Sequence, residues 1–186
     1  MSATGQRIIE CAAEMTAESG WSSVTMAALA ERAGVSRQTV YNEVGGKAEL
    51  AEAMVLTELA RFLSAVAEAF DANAGDAPGA VRDATLAVLT LAAENRLLRA
   101  IVSATQGADT ELLPLLTARS DSLLDIAKAD VRGRLEAYPA LSPAQWDAAA
   151  DVIVRVVLGH VVQPSGSAAE TARRLEWLTR ALIASG

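Results

Sequence analysis

Apolar residues recur along this chain at the three- and four-residue spacing of amphipathic helices, and glycine, proline and small polar residues cut the pattern into segments. Over residues 5–19, Ile8, Cys11, Ala12 and Met15 fall at i, i+3, i+4 and i+7, and Gly20 supplies a C-terminal cap. Cys11 therefore reads as core rather than as a reactive thiol. Thr25 caps a short helix in which Met26, Leu29, Ala30 and Ala33 repeat the spacing, and Gly34 stops it. Ser36 caps a third helix, RQTVYNEV, which Gly45-Gly46 ends. Lys47 then opens a long helix to about residue 72, with one stripe formed by Val55, Leu59, Phe62, Leu63, Val66 and Phe70.

The same punctuation continues. NAGDAPG predicts a loop, and residues 84–93, apolar except for Thr85 and Thr90, predict a helix buried on nearly all sides. A short helix is expected over 97–105, a turn at GADT, and a long helical segment capped by Asp109 or Thr110 that reaches residue 138 with Pro114 in its first turn. Ser142-Pro143 opens the next helix, to about residue 162. Its VIVRVV stretch is β-branched enough for a strand, yet Trp146, Ala150, Ile153 and Val157 hold helical spacing, so helix is preferred. QPSGS breaks the chain, and Ser167 caps a last helix through Leu175, Leu178 and Leu182.

Composition supports an all-α fold of about nine helices, since Gly and Pro number only 12 and 5 in 186 residues and alanine dominates. The single Cys11 excludes an internal disulfide framework, and the single His160 excludes a multi-histidine metal site. No metal or cofactor is expected. No nucleophile–base pair or phosphate loop stands out, so an enzyme is not expected either. The start lacks the pattern of a signal peptide and no stretch is long and apolar enough to span a bilayer, which predicts a cytoplasmic protein that does not engage membranes. The net charge of −7 argues against non-specific coating of nucleic acid. Its distribution matters more: residues 1–47 carry four basic and five acidic groups, a net of −1, and the other 139 residues carry −6.

The second and third helices, joined by Ala33-Gly34-Val35, have the length and turn chemistry of a helix-turn-helix, whose second helix enters the DNA major groove. At its leading end lie Ser36, Arg37, Gln38 and Thr39, with Tyr41 and Asn42 one turn on. Arginine can grip O6 and N7 of guanine, glutamine can pair with N6 and N7 of adenine, and a threonine methyl can touch that of thymine. Thr25 and Ser36, at helix N-termini, suit phosphate, as do the Tyr41 hydroxyl and the Lys47 ammonium.

Residues 6–54, through RIIECAAEMTAESGW and VTMAALAERAGVSRQTVYNEVGGKAEL, resemble the DNA-binding domain of the TetR family of bacterial repressors. The features in register are the first helix ending in Gly, the Thr before the second helix, the "IA..AGVS..T.Y" core and the Lys that opens the fourth helix. Two departures stand out. The family often has Gly or Ala where Gln38 stands, and an aromatic pair such as Tyr-Phe where Glu43-Val44 stands.

The resemblance implies a division into a helix-turn-helix domain over residues 1–47 and a helical effector-binding and dimerisation domain over 48–186. It further implies a homodimeric, ligand-responsive repressor on a roughly palindromic operator. Effector-pocket walls would come from Leu86, Leu89, Ile101, Val102, Leu112, Leu116 and Leu123, and Asn95, Arg99 or Gln106 would orient a polar end. Few aromatics favour an apolar, fatty-acyl or alkane-like effector. Trp146, Ile153, Val157 and Trp177 would form the dimer interface, with an intrachain core contact the equal alternative for the two tryptophans. His160 reads as a capping or interface side chain. A transcriptional activator with the same DNA-binding unit is the alternative function, followed by a helical lipid-binding protein or enzyme.

Overall fold

The computed structural model describes the backbone of residues 2–99 and 113–185 and the side chains of 2–99 and 123–185. The described chain is helical: α1 Ala3–Ser19, a 3-10 turn Trp21–Ser23, α2 Met26–Ala33, α3 Arg37–Val44, α4 Lys47–Ala72, α5 Ala77–Glu94, α6 from residue 96 (described to 99), α7 Leu113–Leu135, α8 Pro143–Val162 and α9 Ala168–Ser185. Among these residues no helix is long and apolar enough to cross a membrane. The GADT turn and its capping residues lie outside the described residues.

Most boundaries coincide with the punctuation. Ser142 starts α8 with a full capping box, in which its hydroxyl accepts from Gln145 N while its own backbone N–H donates to Gln145 Oε1 at 2.9 Å. Ser167 and Glu170 make the same reciprocal pair at the start of α9. The VIVRVV stretch is helical, as preferred. One boundary differs: α5 begins at Ala77, inside the expected loop, because Asp76 caps it by accepting from Gly79 N at 3.1 Å, and Pro78 sits in the first turn, where no backbone donor is required.

Two compact units result. The first comprises Met1–Leu59 with the segment that begins at Asn95, and its core centres on the fully buried Ile8, Leu29, Val40 and Leu50. Burial of each such aliphatic side chain is worth about 1.5–3 kcal/mol. This core does not stop at residue 47. Leu50, Ala51 and Met54 of α4 and Leu97 of α6 all belong to it, because the first turns of α4 turn their apolar stripe onto α1–α3. Asn95 caps α6 through Leu98 N at 2.8 Å and donates from Nδ2 to Glu58 Oε2.

The second unit comprises Ala60–Glu94 and Asp121–Gly186. Here α5 packs along α9 and against α8. Phe70 and Tyr138 meet edge to face at 6.3 Å, and the Tyr138 hydroxyl donates to Asn73 O. The helix expected to be buried on nearly all sides is one-sided: Ala80, Val81, Ala84 and Ala92 are buried, while Leu86 and Leu91 are more than a third exposed and Thr90 is exposed. An apolar run dictates which face may be buried, and only the packing partners decide how many faces are.

Candidate nucleic-acid interface

The helix-turn-helix is built by local rules. Thr25 Oγ1 accepts from Ala28 N at 3.2 Å to start α2. Gly34 ends it with φ +66°, the left-handed region, and the Gly34 and Val35 N–H groups close back onto Glu31 O and Ala30 O. A side chain at Gly34 would be strained there, and its Cβ would also press on the Arg7 guanidinium at 3.3 Å. Ser36 then starts α3, accepting from Thr39 N at 3.0 Å while its hydroxyl bonds that of Thr39 at 2.8 Å.

Because α3 buries Val40 and Val44, its opposite face is open. Arg37, Gln38, Tyr41 and Asn42 are all exposed, Tyr41 to 45%, and Thr39 is half-buried. An open face carrying an arginine, two amides and a phenol, flanked by two capped helix N-termini, offers donors and acceptors for base edges and donors for phosphate. Thr25 is exposed at the start of α2. Lys47, half-buried at the start of α4, holds its ammonium 5.1 Å from the centre of the Trp21 ring, a cation–π contact that fixes the charge at that end of the unit.

Several contacts that shape this surface join residues too far apart in sequence for any local signal. Arg32 is committed elsewhere, bonding Glu18 at 2.8 Å and Glu14 at 3.2 Å. The Arg32 bond holds the Glu18 carboxyl below its usual range, and the arginine is stabilised as a cation in turn. The Ser2 hydroxyl, which accepts from Gly5 N to cap α1, donates to the Glu43 carboxylate and ties α3 to the start of α1. On α3 itself, Gln38 Nε2 donates to Asn42 Oδ1 at 2.9 Å.

The expected sites in the second unit fare differently. Leu89 is buried, Leu123 half-buried and Leu86 38% exposed. Ile101, Val102, Leu112 and Gln106 lie outside the described residues, as does the Leu116 side chain. An apolar groove of about 280 Å³ lies between α8 and α9, lined by Leu141, Val152, Ile153, Leu178 and Leu182 among others, and of the residues assigned to pocket or interface only Ile153 borders it. The interface assignment needs correction at Trp146, which is 1% exposed within its own chain and donates its indole N–H to Tyr138 O at 2.9 Å. Ile153 is likewise core, Val157 is half-buried, and Trp177 stands 69% exposed. The open apolar positions of α8 are Val152, Val156, Leu158 and Val162, of which the first two fall one residue before the expected pair. A step of one residue turns a helical side chain by about 100°, enough to exchange the buried face for the open one. His160 is buried and shares a hydrogen bond between Nδ1 and Thr171 Oγ1 at 3.2 Å.

A capped helix-turn-helix presenting an open polar α3, carried ahead of a separate helical unit, defines a DNA-binding transcription regulator. Residues 8–54 match the family of bacterial regulatory proteins of the TetR type, and residues 76–181 match the C-terminal domain described for the bacterial tetracyclin repressor. The chain belongs to the TetR family, and its members are regulators rather than enzymes. It is 28% identical over 145 residues to the HTH-type transcriptional regulator AlkX of Mycobacterium tuberculosis, covering 77% of this chain and 68% of that protein. In fold it is similar to the crystal structure of the TetR family repressor AlkX from Dietzia sp. strain DQ12-45-1b, implicated in biodegradation of n-alkanes, with TM-score 0.76, 23% identity and coverage of 96% and 97%. The fatty acid degradation regulator FadR from Bacillus halodurans is a more distant likeness, with TM-score 0.58, 17% identity and coverage of 98% and 96%.

Proposed function

We propose that this regulator is a cytoplasmic homodimeric repressor that binds a roughly palindromic operator and is released by a small apolar effector. The open face of α3, with Arg37, Gln38, Tyr41 and Asn42 exposed together, carries the reading. These four residues, with Thr25, Ser36, Thr39 and Lys47, form the operator contacts of each head. Two heads related by a two-fold axis require half-sites about 34–36 Å apart, one DNA turn, or a multiple of it. The exposed apolar residues of α8 and α9, Val152, Val156 and Trp177, support pairing of two copies through these helices.

For the effector, the supporting observations are the alkane and fatty acid processes named for the AlkX and FadR relatives, and the apolar residues Leu86, Leu89 and Leu123 of the second unit. An effector releases DNA only as far as it binds the released arrangement of the two heads better than the bound one. The function is tested by mobility shift on an operator chosen from the DNA beside the protein's own gene. Arg37→Ala and Tyr41→Ala should each weaken binding, and unchanged affinity in both would refute the reading. Adding a long-chain alkane or fatty acyl compound should release the DNA; indifference to both refutes the apolar effector.

A further inference from the structure

The Gln38–Asn42 hydrogen bond is unusual in what it leaves behind. The two residues are one turn apart on the exposed side of α3, and Gln38 Nε2 donates to Asn42 Oδ1 at 2.9 Å. A glutamine amide has two N–H donors and one carbonyl oxygen. With the Asn42 bond made by the N–H that points away from the carbonyl, the N–H on the carbonyl's own side stays open, a donor and an acceptor side by side. That is the pair complementary to adenine in the major groove, where N7 accepts and the N6 amino group donates. Guanine presents acceptors at both N7 and O6, so the fixed carbonyl would face another acceptor.

The alternative to fixing is costly, because a free glutamine is among the side chains that lose most rotamer freedom when immobilised. A partner on the same helix removes much of that loss before DNA arrives. The rest of the face is already built to be stiff: Ser36 and Thr39 lock the first turn of α3, and Ser2 holds Glu43 at its far end.

We propose that Gln38 and Asn42 act as one base-reading unit, in which Asn42 fixes the Gln38 amide so that it selects an A·T pair at one position of each half-site. Gln38 touches the base. Asn42 is the positioning residue, and its own amide N–H groups remain available to a neighbouring base or phosphate. This rests on the proposed operator reading and adds to it the identity of one base pair.

The full-length protein would be used to select duplexes from a random-sequence library, and the affinity of the selected sequence would then be compared with that of every single-pair variant. Exchange of A·T for G·C at one symmetric position should cost roughly 5- to 160-fold, the range for one bidentate contact. Gln38→Ala should bring that ratio to within about twofold while preferences at other positions persist. Asn42→Ala should lower the ratio at the same position, and the double variant should discriminate no worse than Gln38→Ala alone, the signature of two residues acting through one contact. Both side chains are exposed, so melting curves of the variants should overlay the wild type. If Gln38→Ala leaves every preference intact, or if Asn42→Ala alters only a different position, the paired reading is overturned while operator binding stands. If the wild type enriches no sequence, the operator reading itself falls.

Discussion

Raising the salt concentration from about 50 to about 200 mM should weaken operator binding by about a thousandfold, a modest loss for a dimeric regulator. The figure follows from the cations the head can present. Residues 1–47 carry Arg7, Arg32, Arg37 and Lys47, and Arg32 is tied up by Glu18 and Glu14 at 2.8 and 3.2 Å. Arg7 lies beside Gly34, Lys47 is held over Trp21, and Arg37 is exposed on α3. Counting these three cations per head, with Arg96 and Arg99 of the same unit taken to lie off the DNA, gives six neutralised phosphates for two heads. At about −0.9 per phosphate the slope of log K against log salt is about −5. Lys47→Ala removes one phosphate contact from each head, so it should flatten the slope by about 2 and weaken selected and unselected DNA alike. Fluorescence anisotropy of a labelled operator across a salt series measures both. A wild-type slope near −9, or a slope that Lys47→Ala leaves unchanged, would refute this account of the DNA-facing surface.

Three further outcomes are expected. Leu50→Ala, at a fully buried position of the first core, should cost about 2–5 kcal/mol by chemical denaturation, whereas a head that ended at residue 47 would barely respond. Trp146→Phe should lose about 1 kcal/mol with its bond to Tyr138 O and leave dimer dissociation unaltered, while Val156→Asp on the open side of the same helix should raise the dimer dissociation constant severalfold in sedimentation equilibrium; the opposite pattern would restore Trp146 to the interface. Asp83 accepts from Arg82 Nε at 2.7 Å and Asn73 Nδ2 at 3.0 Å, and the Arg82 bond chiefly holds its carboxyl below the usual range. A depressed carboxyl stabilises the fold above its unfolded pKa, so the gap in melting temperature between wild type and Asp83→Asn should be constant from pH 8 to about 5 and close below about pH 4. A gap that widens on acidification contradicts the assignment.

The helix-turn-helix surface proposed to read the operator was the most legible part of the molecule. Thr25, Gly34, Ser36 and Gly45 are local signals, because a cap or a left-handed turn is satisfied by backbone within three or four residues, and each sits where its residue type implies. Val40 and Val44 point inward, which puts Gln38 and Asn42 on the opposite, open face, while Arg37 and Tyr41 stand exposed toward its edge. What escaped were the contacts that refine that surface: Ser2 with Glu43, Arg32 with Glu18, Lys47 over Trp21. Each joins residues from different elements, and no spacing rule records which elements will touch.

In the second unit the balance reverses. Helical periodicity placed α8 and α9 and their caps, but a helix with apolar residues on several sides does not announce which side its neighbours will cover. Trp146 and Ile153 proved to be core and Val152 and Val156 open, and Leu86 lies on the uncovered side of α5. The helices, most of their ends and the chemistry offered by α3 could be read from the chain alone, since these depend on backbone hydrogen bonds and side chains a few residues apart. Where the first core ends, that Arg32 is paired with Glu18 and Glu14, and which apolar face stays open came from the folded chain, because those depend on close packing between segments distant along it.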